Sequence, residues 1–153
     1  MKLAVSSTIS EIDAFCETEL GISVKSLMEK SGTAVADAAR KRTQKGGKIL
    51  VLAGKGNNGG DGYAAACELI EDYNVKVYDV LGMGQKSEAG KFFLEKFRAL
   101  GGAVENYTNN DEFREEVNSA DCIVDAVFGT GFVGEMPEAL RQLAITVRES
   151  VGS

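Results

Sequence analysis

The sequence predicts an α/β fold: a Rossmann-like three-layer α-β-α sandwich with a mainly parallel sheet and two leading helices. Three observations carry this expectation. From residue 48 onward, short apolar runs alternate with helical patterns, and such alternation builds a parallel sheet with helices on both faces. The first run, "KILVLA" (48–53), has almost no polar side chains, as a strand covered on both faces requires. Between that run and the helix after it lie five glycines within nine residues, Gly54 to Gly62.

The elements follow in order. "TISE" (8–11) is a capping box that opens a helix with Ile9, Ile12, Phe15 and Cys16 on one face. A second helix runs from near Ser23 to Arg42, with the stripe Val24, Leu27, Met28, Val35, Ala38 and Ala39 and with Gly32 set for close packing. Strands are expected at 48–53, 75–80, 103–107 and 122–127. The helices between and after them are placed at 62–73, 87–100, 111–118 and 137–150. Ser87 is the expected cap of its helix, Gly101-Gly102 its stop, and Pro137 starts the last one. Crossovers should be right-handed, and in the usual doubly wound order the four strands lie third, second, first, fourth. The fourth would then be an apolar edge that proteins normally cover. A chain lacking its last strands and helices, whose edge recruits a second copy or another element, is the expectation that follows.

Composition narrows the chemistry. The 153 residues suffice for one domain with a real core. Net charge is −6, from 23 acidic and 17 basic residues without a basic block, which argues against nucleic acid as the main partner. There is no histidine, so histidine bases, triads and zinc clusters are excluded. Cys16, Cys67 and Cys122 are scattered and odd in number, as buried thiols in a reducing compartment would be. No secretory leader and no membrane-length apolar run stands out, and a cytoplasmic protein is expected.

Two stretches carry chemistry. In "AGKGNNGGDGYAAA" (53–66) the P-loop pattern fails, because Asp61 stands where a lysine and hydroxyl would be needed. Gly54-Lys55-Gly56-Asn57-Asn58-Gly59 satisfies the dinucleotide fingerprint, and Asp79 stands where a ribose-binding acid belongs. A dehydrogenase-type dinucleotide domain is therefore one reading, and a ligand-free glycine turn another. Asn57, Asn58 and Asp61 suit a third: amide oxygens and a carboxylate for a cation and a polar ligand. In "DAVFGTGFVGEMPE" (125–138), Asp125 lies at a strand end inside an apolar run, where a carboxylate is costly unless paired or bound to a metal. The glycines Gly129, Gly131 and Gly134 follow it. The expected strand order puts both stretches at one switch-point crevice.

With these residues in hand, the chain resembles the amino-terminal domain family of NAD(P)H-hydrate epimerases. "GISVKSLMEKSG" (21–32), "AGKGNNGGDGYAAA" and "DAVFGTGFVGEMPEALRQL" (125–143) carry the resemblance. The resemblance implies an isomerase of nicotinamide-cofactor repair that interconverts the S and R epimers of C6-hydrated NADH and NADPH. A fused or separate ADP- or ATP-dependent dehydratase would then restore the cofactor. It further implies hydrate contacts from Asn57, Asn58, Gly59, Gly60 and Asp61, and from Gly129, Thr130, Gly131, Phe132, Val133, Gly134 and Glu135. A potassium ion would be held by Asn58 and Asp125. Non-catalytic scaffold modules of the same fold are the alternative in another class.

Two departures stand out. Lys30 replaces the family's usual amide, and no D-x-P-S-G segment occurs, whose aspartate meets the hydrate and whose serine completes the potassium site. The proton-transferring residue is thus unassigned, and the 153-residue chain alone is expected to be inactive or nearly so. Gly60→Val is expected to cost ligand binding more than folding, if backbone must approach the ligand there.

Overall fold

A computed structural model of the chain describes residues 3–6, 23–127 and 138–151. Five parallel strands form one sheet: β1 (Leu3–Ser6), β2 (Lys48–Ala53), β3 (Asn74–Asp79), β4 (Ala103–Asn106) and β5 (Cys122–Ala126). Their order is β1-β5-β2-β3-β4. The helices are α1 (Val24–Arg42), α2 (Asn57–Leu69), α3 (Glu88–Ala99), α4 (Asp111–Ser119) and α5 (Glu138–Val151). The Rossmann-like sandwich and the relative order of the four expected strands are as the sequence predicts. The capping-box helix expected from Thr8 lies outside the described residues.

One expectation is overturned. The far side of β5 is not a bare edge: Leu3–Ser6 pairs with it in parallel, Leu3 opposite Cys122 and Ser6 opposite Asp125. "LAVS" is too short to show a period, so nothing in the local pattern separates it from a leading coil. It becomes a strand because β5 presents unpaired backbone groups to it.

The strand alternation sorts the core into two layers. Ile49, Val51 and Ala53 of β2, Val75 and Val77 of β3, and Cys122 and Val124 of β5 pack under α1, α2 and α3. Leu50 and Leu52, Tyr78 and Ile123 point the other way, against Phe113 and Val117 of α4 and Leu143 of α5. Tyr78 and Tyr107 both meet the Phe113 ring edge-on, with centroids 4.9 Å and 4.8 Å away. Among the described residues no helix is long and apolar enough to cross a membrane.

The caps read from sequence are present. Ser23 accepts the Ser26 N–H, and Ser87 accepts the Gly90 N–H at 2.9 Å. The buried stripe of α1 is Met28, Gly32, Val35, Ala36 and Ala39, so Ala36 replaces the expected Ala38. The largest shift is at α2, which opens at Asn57 rather than near Gly62, so the expected loop is the first turns of the helix.

Gly32 explains how α1 and α2 come so close. A Cβ on it would fall 2.5 Å from the Cβ of Ala64 and 2.9 Å from the backbone nitrogen of Ala65. Backbone cannot yield as a flexible side chain can, so Gly32→Val should lower stability by about 1–3 kcal/mol, the usual cost of overpacking a dense core. A urea titration checks this, and an unchanged midpoint would refute the contact.

Candidate functional site

The segment after β2 is extended only as far as Gly56, the N-cap of α2. Gly56 carries no side chain to accept the first-turn N–H groups, so they face the carboxyl ends of the strands without a side-chain cap. Asn57 and Asn58 occupy the first two helical positions, and Gly59, Gly60, Asp61 and Gly62 follow, all four buried.

These glycines do not serve left-handed backbone. Among the described residues the positive-φ glycines are Gly46, Gly82, Gly84 and Gly101, none of them in this segment. Three glycines of the helix instead permit close approach on three sides. A Cβ on Gly62 would meet Ala126 Cβ at 2.7 Å and Val51 at 3.1 Å, so this side lies on the sheet. A Cβ on Gly60 would collide with the Met28 thioether of α1, its Sδ at 2.5 Å, and would lie 3.3 Å from the Gly90 Cα of α3. A Cβ on Gly59 would collide with the Gly54 carbonyl oxygen. Glycine inside a helix costs about 0.5–1 kcal/mol relative to alanine, and packing on every side offsets that cost.

Two groups of Gly60 are engaged within the fold. Its Cα hydrogen faces α1 and α3, and its N–H donates to Gly56 O at 3.1 Å within the helix. A ligand would meet neither group. Gly60→Val should act first on folding, with a loss of about 1–3 kcal/mol from overpacking; a variant of wild-type stability that fails only in binding would contradict this.

The switch point lies where the strand order places it. β2 and β5 are neighbours, with Leu52 opposite Asp125 and Ala53 opposite Ala126. The Gly54 N–H donates to Ala126 O at 3.0 Å, and a Cβ on Gly54 would lie 2.7 Å from Val127 O. The chain leaving β5 thus runs against the entrance to α2. Gly129, Thr130, Gly131, Phe132, Val133, Gly134 and Glu135 follow Val127 and lie outside the described residues.

Three carboxylates gather at this end of the sheet, and each is handled differently. Asp61 is 2% exposed in the first turns of α2. Asp79 accepts the Gly82 N–H at 3.0 Å and the Gly84 N–H at 2.8 Å, which closes the loop after β3. Both of its oxygens are committed and the residue is 6% exposed, which argues against the ribose-binding role of a dehydrogenase. Asp125 is half-buried, and its Oδ1 accepts the Val127 N–H at 3.1 Å. Burial pushes its carboxyl above the usual range, and the Val127 amide opposes that only in part. By strand alternation Asp125 shares the face of Leu52 and Ile123, whereas Asn58 starts a helix on the other face. The two residues belong to neighbouring elements at the same end of the sheet.

Among the described residues, the two cysteines are not poised as nucleophiles. Cys67 donates to Phe93 O at 3.4 Å, and burial raises its thiol to about 11. Cys122 is also a free, buried thiol whose pKa burial raises. Tyr63 is fully buried, and desolvation, reinforced by Asp79, pushes its phenol far above its ordinary value. Among the described residues no cluster of three or more acidic or cysteine side chains could hold a metal. A potassium site built from amide, carboxylate and backbone oxygens needs no such cluster.

Sequence reasoning missed Gln85. It is 6% exposed and its Nε2 donates to Gly54 O at 2.6 Å. Only the pairing of the two loops reveals it. Two cavities lie elsewhere. One of about 650 Å³ sits at the amino ends of the strands beside Thr43, Asp121 and Ser150. The other, about 540 Å³, lies between α1 and α3 beside Lys25 and Phe92. Neither touches the glycine segment, so its chemistry rather than cavity size marks the site.

The Asp125 carboxyl yields a signed pH dependence. Because its folded value is raised, it favours the fold fully only below the ordinary carboxylate range, about 4. That contribution is lost as pH rises through the raised value. Asp125→Asn keeps an acceptor for Val127 and removes the charge. In buffer without potassium or other added metal salts its thermal midpoint should exceed wild type at pH 7, with the gap closing toward pH 4; a variant less stable than wild type at pH 7 would overturn the assignment.

Comparison with known proteins bears on this geometry. Residues 24–152 match the family described as YjeF-related protein N-terminus. The bifunctional NAD(P)H-hydrate repair enzyme Nnr of Methanospirillum hungatei is 36% identical over 127 residues, covering 80% of this chain and 26% of that protein. Nnr of Archaeoglobus fulgidus is 34% identical over 150 residues, covering 98% of this chain and 30% of that protein. The NAD(P)H-hydrate epimerase of Leuconostoc citreum is 31% identical over 144 residues, covering 94% of this chain and 62% of that protein. The chain therefore spans less than two thirds of these relatives. The crystal structure of yeast ynu0 (YNL200c) superposes with a TM-score of 0.76 at 26% identity, covering 96% of this chain and 65% of that one.

Proposed function

This chain belongs to the family of YjeF-related protein N-termini, and from that premise we propose that it forms the core of an NAD(P)H-hydrate epimerase. The reaction inverts the configuration at the hydrated C6 of the nicotinamide ring, with no net redox change. The observation that carries the reading is the placement of "GKGNNGGDG": its uncapped first turn opens at the β2–β5 switch point, beside Asp125 and the start of the second glycine stretch. Relatives named as epimerases and repair enzymes supply the substrate class.

The residues take these roles in the proposal. The Asn57, Asn58 and Gly59 backbone meets anionic or polar groups of the hydrate at the positive end of α2. Asp61 supports that turn from within the helix. Gly129 to Glu135 also contact the hydrate in this proposal. Asn58 and Asp125 hold potassium: a carboxylate kept partly desolvated, with one oxygen on the Val127 amide, is a donor that a cation would stabilise. Bound there, potassium would supply a fixed positive charge for ligand oxygens. With no histidine in the chain, proton transfer falls to a carboxylate or to water. The same reading takes the protein as cytoplasmic, acting with a fused or separate nucleotide-dependent dehydratase, as the bifunctional relatives suggest.

The test is chiral separation of the NADH-hydrate epimers over time, with and without potassium, on the complete gene product. A pure epimer should equilibrate faster with the protein than in buffer. Asn58→Ala and Asp125→Ala should each slow it on the order of 10²-fold, the penalty typical of a misplaced substrate. Mixing no faster than buffer would refute the epimerase, and tight hydrate binding without turnover would point to a scaffold.

A further inference from the structure

We propose that Gln85 is a positioning residue that sets the entry of the chain into the first turn of α2. The assignment rests on the reading that this turn meets the ligand. Gln85 belongs to the loop between β3 and α3, not to the glycine segment. Its Nε2 holds Gly54 O at 2.6 Å, and the next residue, Lys86, donates its N–H to Lys55 O at 3.3 Å. Two successive residues of one loop thus hold two successive carbonyls of the other. The Gly54 N–H is bound on its far side by Ala126 O. Gly54 is therefore clamped through both of its polar groups, two residues before the N-cap Gly56.

A slot without side chains receives the Gln85 amide. A Cβ on Gly59 would lie 2.8 Å from its Nε2, and a Cβ on Gly90, in α3, 2.5 Å from its Oε1. Two glycines on separate helices leave room for one side chain. The loop that delivers it is held by Asp79 through Gly82 and Gly84, both at φ 66°. Because the partner is a carbonyl, the end facing Gly54 must be the NH₂ group. Asparagine is one methylene too short. Glutamate would set a carboxylate oxygen against the carbonyl oxygen. The Oε1 atom is buried and has no hydrogen-bond partner among the described residues, so the Nε2 bond and the glycine slot hold the amide. Such fixing before the ligand arrives lowers the ordering cost of binding.

The experiment is amide hydrogen exchange together with epimerisation kinetics on the complete gene product. Gln85→Met keeps the volume and loses the donor. It should speed exchange of the Gly60 amide at least about tenfold while β3 amides keep wild-type rates. It should raise KM for NADH hydrate by roughly tenfold to a hundredfold, with a smaller change in kcat. Gly90→Ala should produce the same local loosening when Gln85 is present, by displacing its amide, and should add less in a Gln85→Ala background, where only the residue-85 Cβ and the Ser87 Oγ, each 3.1 Å from the new Cβ, remain. Unchanged Gly60 exchange in Gln85→Met overturns the proposal, as does a loss of protection spread evenly over the sheet. Equal loosening by Gly90→Ala in both backgrounds also overturns it. If Gln85→Met does not fold, Gly90→Ala carries the exchange measurement with Gln85 retained. Should the wild type neither bind nor turn over NADH hydrate while the exchange pattern holds, the epimerase reading fails and the positioning role stands.

Discussion

The close approach of α2 to its surroundings is the constraint on which the rest of the molecule depends. Its first turns carry three glycines, each bare toward a different neighbour: the Gly54 carbonyl, the Met28 thioether of α1, and Ala126 of β5. Without a Cβ at those points the helix axis sinks toward the sheet, and α1 and α3 close over it. Residues Gly59 to Ala66 are buried as a result, an unusual share for a helix in an outer layer. Gly32 repeats the device from the α1 side, against Ala64. The amino end of α2 is thereby held at the carboxyl ends of β2 and β5, with the positive end of its dipole there.

That packing places charge where charge is expensive. Asp79 is offset by two amides of its own loop, and the resulting turn delivers Gln85 to Gly54. Asp125 is offset only in part, by one N–H, and its raised pKa records the remainder. An acid that weakens the fold at neutral pH is the kind of local cost that functional sites carry. A bound cation would remove the cost without any change in the protein, so stability and ligand binding would be linked at Asp125.

The alternating halves of the sheet divide the labour. The face under α1, α2 and α3 holds most of the core and carries the glycine contacts. The other face is a smaller aromatic cluster around Phe113. The β1 strand extends the sheet beyond β5, giving the strand that bears Asp125 a parallel neighbour on both sides. A carboxylate on a central strand is held more firmly than one on an edge, and Asp125 gains that position from a segment 119 residues away, since Ser6 pairs with Asp125.

Much of the architecture was legible in sequence because it rests on local chemistry. Period and flanking turns placed β2 to β5; Ser87 announced its helix; the strand order is the usual one for a doubly wound sheet. "GKGNNGGDG" stood out by its glycine content, and the family resemblance rests largely on it. What remained hidden depends on contacts between distant segments. The pairing of β1 with β5 has no signature within four residues. The helical state of Asn57 to Gly62 contradicts the intrinsic preference of glycine, and only contacts from three sides impose it. Gly60 looked like a place for a ligand because a sequence cannot say what occupies the space beside a bare Cα. Gln85 looked like an ordinary loop residue because its partners, Gly54, Gly59 and Gly90, are separated from it by the chain and united by packing. The sequence by itself determined the alternation of strands and helices and the glycine-rich make-up of the segment after β2, because period and residue type are local properties. The tertiary structure decided which of those residues pack against which neighbours, because that depends on what fills the space next to each backbone atom.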